Sequence, residues 1–299
     1  MTQFTRREAQ RLGLGLLVFL ATNCSMGRAP GRLATRVAGP PFWRVRQGGT
    51  QVTLFGFGDA RDTAWLSPAL QRAFEESGEL WLETAPPAAQ PPPDLARVAR
   101  FSNLEGRTLF EVLGPSLSAR VRARLAEYGV AEAAVATLRP WRAYYAINGA
   151  YWRKHPPADP QQPVDAALFA MARAAGKTVS YEFAGFGDFA EFMGSMSDAA
   201  QRQYVRWLLD YLDEREQVGT DSYGWIEGRR PVRSLERMAA LPELFAALQG
   251  RRNRWWAETI RDLLAEGRSA FVAVGQLHVM GASGIPAQLA TMGIEAVPA

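Results

Sequence analysis

Gln51-Val-Thr-Leu-Phe-Gly56, the periodic run from Leu66 to Ser77, and Glu79-Leu-Trp-Leu-Glu83-Thr84 follow one another closely. They read as an apolar strand, an amphipathic helix and a second apolar strand. The helix begins after Ser67-Pro68, with proline where its missing N–H is not needed. A helix between two strands is the connection of a parallel pair, because a tight hairpin joins only antiparallel strands. Working outward, Thr178-Val-Ser-Tyr-Glu182-Phe reads as a third strand. Ser269-Ala-Phe-Val-Ala-Val-Gly275 and Ile294-Glu-Ala-Val297 read as two more. The stretch from Asp94 to Ala175 has helical spacing, with breaks at Gly114-Pro115, Gly129 and Pro156-Pro157. Further helices are predicted over Ser197–Glu216, Leu241–Gly250, Arg252–Glu266 and near Pro286–Met292, the first capped at Ser197 or Asp198. The expected fold is α/β, a mainly parallel central sheet with a large helical insertion, in one domain over residues 41–299.

Ahead of that domain, Arg6, Arg7 and Arg11 precede a short apolar run, Leu12 to Ala21. A membrane span needs about 18–20 apolar residues, so this layout reads as an export leader over residues 1–27, or as an uncleaved N-terminal anchor. Thr5-Arg6-Arg7 resembles the start of a twin-arginine signal, although Ala9 stands where a hydrophobic residue is usual. Cys24 is the chain's one cysteine and would be the lipidated residue of a lipoprotein, but Asn23 is a poor residue to precede it. The expected location is the periplasm or envelope, reached by a twin-arginine or general secretory signal. The membrane would be touched only through a leader left uncleaved or lipidated. Residues 28–40 are rich in Gly, Pro and Ala and read as a linker.

The net charge of +4 and a pI near 9.4 do not indicate nucleic acid. The first 50 residues hold eight arginines and one acid and so carry +7, which leaves −3 for the other 249. Past residue 50 there is no basic stripe interleaved with aromatics. A single cysteine excludes an internal disulfide, a cysteine zinc finger and a CxxC redox site. Gly194-Ser195-Met196 is not a nucleophile elbow, and Gly56-x-Gly58 lacks the rest of a phosphate loop. Trp141, Trp152, Trp255 and Trp256 read as packing anchors, and His155 as a loop residue without a role.

Ligands of open α/β sheets bind at the carboxyl ends of the strands. Four predicted strands end there in groups with chemistry: Gly56-Phe57-Gly58-Asp59, Glu83, Glu182, and Gly275-Gln276-Leu277-His278. Imidazole is a metal ligand and a base near neutral pH, and neighbouring carboxylates could complete either role. The simpler reading pairs both glutamates with arginines and leaves His278 a hydrogen-bonded strand-end residue. Gly-Phe-Gly-Asp occurs twice, at Gly56–Asp59 and Gly185–Asp188.

Several blocks resemble the TraB/GumN-like family, which is related to the Tiki proteases. They are Pro41-Phe-Trp-Arg-Val45, Val52-Thr-Leu-Phe-Gly56, Trp65-Leu-Ser-Pro68, Leu80-Trp-Leu-Glu83, Pro140-Trp141, Val164-Asp165, Gly176–Glu182, Arg252-Asn253 and Phe271–Gly281. The resemblance implies two Gly-x-x-His motifs with acidic residues between them, holding a divalent metal for hydrolysis of a peptide or protein substrate. Carried over, the catalytic residues would be Glu83, Glu182 and His278. The metal ligands would be Asp59, Glu83, Glu182 and His278, supported by Gly56, Gly275, Arg252 and Asn253. The first motif departs: Gly56 stands, but Asp59 replaces the histidine. The Glu-Gln pair expected after Glu182 is replaced by Gly185–Asp188. So oxygen-rich a set would suit Mn²⁺ or a similar ion better than zinc. The same departures are what a non-catalytic binding or interaction protein on this fold would show.

Overall fold

The computed structural model describes residues 39–156, 162–218, 224–228 and 232–299. The leader and nearly all of the linker lie outside the described residues. Six strands make one sheet: β1 (Phe42–Gln47), β2 (Thr50–Phe57), β3 (Glu79–Thr84), β4 (Thr178–Phe183), β5 (Ala270–Gly275) and β6 (Ala296–Pro298). Their spatial order is β4-β3-β5-β2-β1-β6. The three pairings along β4, β3, β5 and β2 are parallel, and β1 adds an antiparallel edge that β6 extends.

Two features of the sheet differ from the sequence reading. β2 and β3 are parallel as expected, with helix α1 (Pro68–Glu76) between them in sequence, but they are not neighbours. β5 is inserted between them, pairing Leu54 with Val272 on one side and Trp81 with Val272 on the other. The reason is burial. All six residues of β5 are buried, and such a strand must have neighbours on both edges and layers on both faces. The second difference is β1, which the composition of its surroundings marks only as the domain edge. It pairs residue by residue with β2 through the two-residue turn Gly48-Gly49, where Gly48 takes φ +57°.

Both faces of the sheet are covered, as the alternation of side chains dictates. Val52, Leu54, Val272 and Val274 point to one side, against α11 (Arg252–Ala265) and α12 (Ile285–Thr291). Phe55, Leu80, Leu82 and Phe271 point to the other, against α1 and α6 (Val164–Ala174). Ser67 caps α1, its hydroxyl oxygen accepting the Leu70 N–H at 3.2 Å.

The helical insertion has its own core, rich in aromatics. It comprises α2 (Leu95–Ser102), α3 (Leu109–Leu113), α4 (Pro115–Glu127), α5 (Pro140–Lys154), α7 (Phe186–Gly194) and α8 (Asp198–Val218). Helix breaks fall where expected, with Gly114 at φ +76° between α3 and α4. The Phe101 carbonyl at the end of α2 is a junction. Trp141 donates its indole N–H to it at 2.8 Å, and a side chain on Gly194 would run straight into it. Ser197 caps α8 by accepting the Ala200 N–H at 3.1 Å.

Beyond α8 come α9 (Val232–Ala239) and α10 (Pro242–Phe245). The predicted break before Arg252 is not a break. A π-helical stretch, Ala246–Arg251, runs into α11 with helical dihedrals at both joints. A π turn shifts the helix face by an extra residue, a device found at functional sites. Here it immediately precedes Arg252 and Asn253.

Candidate functional site

Parallel register carries the ends of β3, β4 and β5 to one edge of the sheet. There Glu83, Glu182 and Arg252 form a buried ion cluster. Their side chains are 8%, 8% and 5% exposed. Arg252 donates from Nε to Glu182 Oε1 at 2.6 Å and from Nη2 to Glu182 Oε2 at 2.6 Å, a bidentate pair. The same Nη2 reaches Glu83 Oε2 at 2.5 Å. Glu83 Oε1 accepts the Gly275 backbone N–H at 2.5 Å, and Trp256 adds its indole N–H to Glu182 Oε2 at 3.0 Å.

Burial by itself would push the Glu83 carboxyl up. His278, Arg252 and the Gly275 N–H outweigh it and hold the group well below the usual carboxylate range. Burial likewise works against the charge on Arg252, and Glu182 and Glu83 more than offset it. Glu83 and Arg252 therefore sustain each other's charge.

His278 lies on a short 3₁₀ turn, Gln276–Val279, directly after β5. Its Nδ1 is 2.5 Å from Asn253 Oδ1. The Asn253 amide nitrogen donates to the Ser283 carbonyl at 2.7 Å and faces Gln249 Oε1 at 3.4 Å, so Oδ1 is the acceptor. The Nδ1 proton is thus held by Asn253. Nε2 faces Glu83 Oε2 at 3.4 Å. Gly56 matters here for packing, because a Cβ would collide with a Val279 side-chain methyl and push the His278 turn away from β2.

The expected site residues thus divide in two. Glu83, Glu182, Arg252, Asn253, Gly275 and His278 come together. Asp59 shares no hydrogen bond or ion pair with them among the described residues. Its backbone carbonyl accepts the Trp225 indole N–H at 2.6 Å. Burial pushes its carboxyl up to about 7, with Arg215 pulling it down. The second copy of the Gly-Phe-Gly-Asp tetrapeptide has another use altogether: Gly185 is the N-cap of α7, and Asp188 pairs with Arg97 at 2.9 Å.

Asp165, in the first turn of α6, is raised to about 6 by burial, with the charge of Glu83 adding to the effect and the Ala166 N–H opposing it. A folded-state pKa above the unfolded one means that the folded state binds more protons, so stability falls as pH rises through the interval. For Asp59 the interval runs from 3.8 to about 7, and for Asp165 from 3.8 to about 6. Asp59→Asn and Asp165→Asn should each flatten the decline in urea midpoint between pH 4 and 7 and raise the midpoint at pH 8. Midpoints measured across that range check it, and unchanged slopes in both variants would contradict it.

A scan against family models matches the TraB/PrgY/gumN family over residues 41–298. The chain belongs to the TraB/PrgY/gumN family. No curated protein and no solved structure matches it. Within this TraB/PrgY/gumN domain the metal that the resemblance implies can be tested against the donors present. Among the described residues no group of three or more His, Cys, Asp or Glu side chains is placed to hold an ion. Both oxygens of Glu182 and one of Glu83 are engaged by a guanidinium, and the other Glu83 oxygen by a backbone N–H. That leaves His278 Nε2 beside a carboxylate that already has a cation. As placed, the donors do not fit a divalent metal.

Sequence reasoning cast Arg252 and Asn253 as supports, whereas the structure makes them central, one joining the two glutamates and the other setting the imidazole. Trp256 is a packing anchor that also serves Glu182. The signal was present in Arg252-Asn253-Arg-Trp-Trp256, where positions 252, 253 and 256 share a helix face at i and i+4 spacing. Trp141 and Trp256 are buried as expected, and Trp255 is 38% exposed. His155 is exposed, its ring centre 4.7 Å from that of Tyr151.

Proposed function

We propose that this TraB/PrgY/gumN protein is an exported, envelope-side binding or interaction protein that works without a metal centre. One observation carries the reading: Arg252 occupies the carboxylates of both Glu83 and Glu182, the groups that would otherwise hold an ion. The replacement of the first-motif histidine by Asp59 supports it, and the basic-then-apolar leader supports export. The built-in guanidinium supplies the positive charge between the two glutamates. His278, with its Nδ1 held by Asn253, turns Nε2 toward Glu83 at the same edge.

A second reading is hydrolysis of a peptide bond by the family's metal-dependent chemistry, and the approach of His278 Nε2 to Glu83 favours it. The two separate by elemental analysis of full-length protein purified without chelator, alongside His278→Ala and Asp59→His. The expected result is no stoichiometric divalent metal and no peptide cleavage in the wild type. Stoichiometric metal in the wild type that His278→Ala loses, together with metal-dependent cleavage, would sink the binding-only reading. Metal binding gained only in Asp59→His would show that position 59 is where the site was lost.

A further inference from the structure

Arg142, on α5, is half-buried and has no carboxylate partner among the described residues. Its neighbours are aromatic: the guanidinium carbon lies 5.3 Å from the centre of the Phe186 ring and 6.0 Å from that of Trp141. Two other arginines of the helical layer are treated differently. Arg120 and Arg124 hold Asp213 at 2.8 and 2.5 Å. Arg142 also faces the carboxyl end of β4: Phe186, beside its guanidinium, follows that strand, and Phe183 at the strand's last position has the Arg252 guanidinium 5.5 Å from its ring centre. One turn further along α5, the buried phenol of Tyr145 is within electrostatic reach of Arg142, Arg252 and Glu83, and its hydroxyl is 3.2 Å from that of Tyr204. Burial works against the charge on Arg142, and Tyr145 opposes that effect.

A cation withdrawn from water without a counter-ion costs stability, and ring faces compensate only in part. Such a residue persists where a ligand completes it. We propose that Arg142 anchors an oxyanion, a carboxylate or phosphate group, of the molecule bound at the carboxyl end of the sheet. This rests on the binding reading above and narrows it to an anionic ligand. The planar fork of guanidinium donors suits either oxyanion, and lysine would not replace it fully.

The test uses the full-length chain, with inorganic phosphate and acetate as probes at an ionic strength held constant with chloride. Melting temperatures are compared for wild type, Arg142→Met and Arg142→Lys. The expected wild-type result is a rise of several degrees with at least one probe. That rise should vanish in Arg142→Met and shrink in Arg142→Lys, while Arg142→Met without probe melts at or above the wild type. Whichever probe acts separates a phosphate ligand from a carboxylate one. Three results would overturn the proposal: no wild-type rise with either probe, an equal rise in Arg142→Met, or a full rise in Arg142→Lys. A drop of several degrees in probe-free Arg142→Met would also overturn it, by showing that the arginine is there to cover Phe186. Stoichiometric metal and cleavage alongside an Arg142-dependent anion response would refute the binding-only reading and leave this assignment standing.

Discussion

Arg252→Met is expected to lower the stability of the protein by about 3–5 kcal/mol at pH 7, the usual cost of removing one partner of a buried ion pair. The loss comes less from missing attraction than from two carboxylates left buried with no cation between them. Glu83 keeps the Gly275 N–H and His278, and Glu182 keeps only the Trp256 N–H. Neutralising the stranded charge should restore part of the loss, so Arg252→Met combined with Glu182→Gln should be more stable than Arg252→Met alone. Urea midpoints of the three proteins measure this, and a double variant no better than the single one would refute the account. The wild type carries a matching acid sensitivity. The folded-state pKa of Glu83 is depressed from 4.5, so its contribution is complete above pH 4.5 and is lost as pH falls through the depressed folded value. In Arg252→Met the depression shrinks, and acid unfolding below pH 4.5 should be correspondingly shallower.

Trp141→Ala is the second large effect, about 3–5 kcal/mol, the range for deleting a buried tryptophan. Trp141 is fully buried, meets Tyr145 and Phe189 edge-on at 6.0 Å, and fastens α5 to α2 through the Phe101 carbonyl. The alanine variant would leave both a cavity and that carbonyl without its donor. Gly194 packs against the same carbonyl, so the surrounding helices cannot simply collapse inward. Trp141→Phe keeps most of the volume and should cost clearly less. Equal midpoints for the two variants would show that the cavity is not what matters. Trp256 and Arg252 share Glu182, so the costs of removing them should not add.

Much of this protein was legible in its sequence. The apolar runs at Gln51, Glu79, Thr178 and Ser269 are strands because β-branched and large apolar residues suit a sheet buried on both faces. The helix starts at Ser67-Pro68 and Ser197 were readable because capping is local chemistry, decided within three or four residues. That Glu83, Glu182 and His278 would meet was also within reach, because parallel strands bring their carboxyl ends to one edge. The edge strand Phe42–Gln47 was less visible, since its Arg-rich outer half resembles the linker before it. The continuous helix through Gln249 and Arg252 was obscured by Gly250, which normally marks an end.

By itself the sequence determined the fold class, the family and the residue types gathered at the sheet edge. The fold class follows from short-range pattern and the period of apolar positions, and the family from the ordered blocks that match it. Only the tertiary structure decided that β5 separates β2 from β3, that Arg252 binds both glutamates, and that Asp59 stays outside their hydrogen bonds and ion pairs. Those outcomes depend on which partner a buried charge finds across a sequence separation of up to 169 residues. The choice is made by burial, since a carboxylate withdrawn from water must take the nearest cation the fold presents, and no local spacing specifies which one that is.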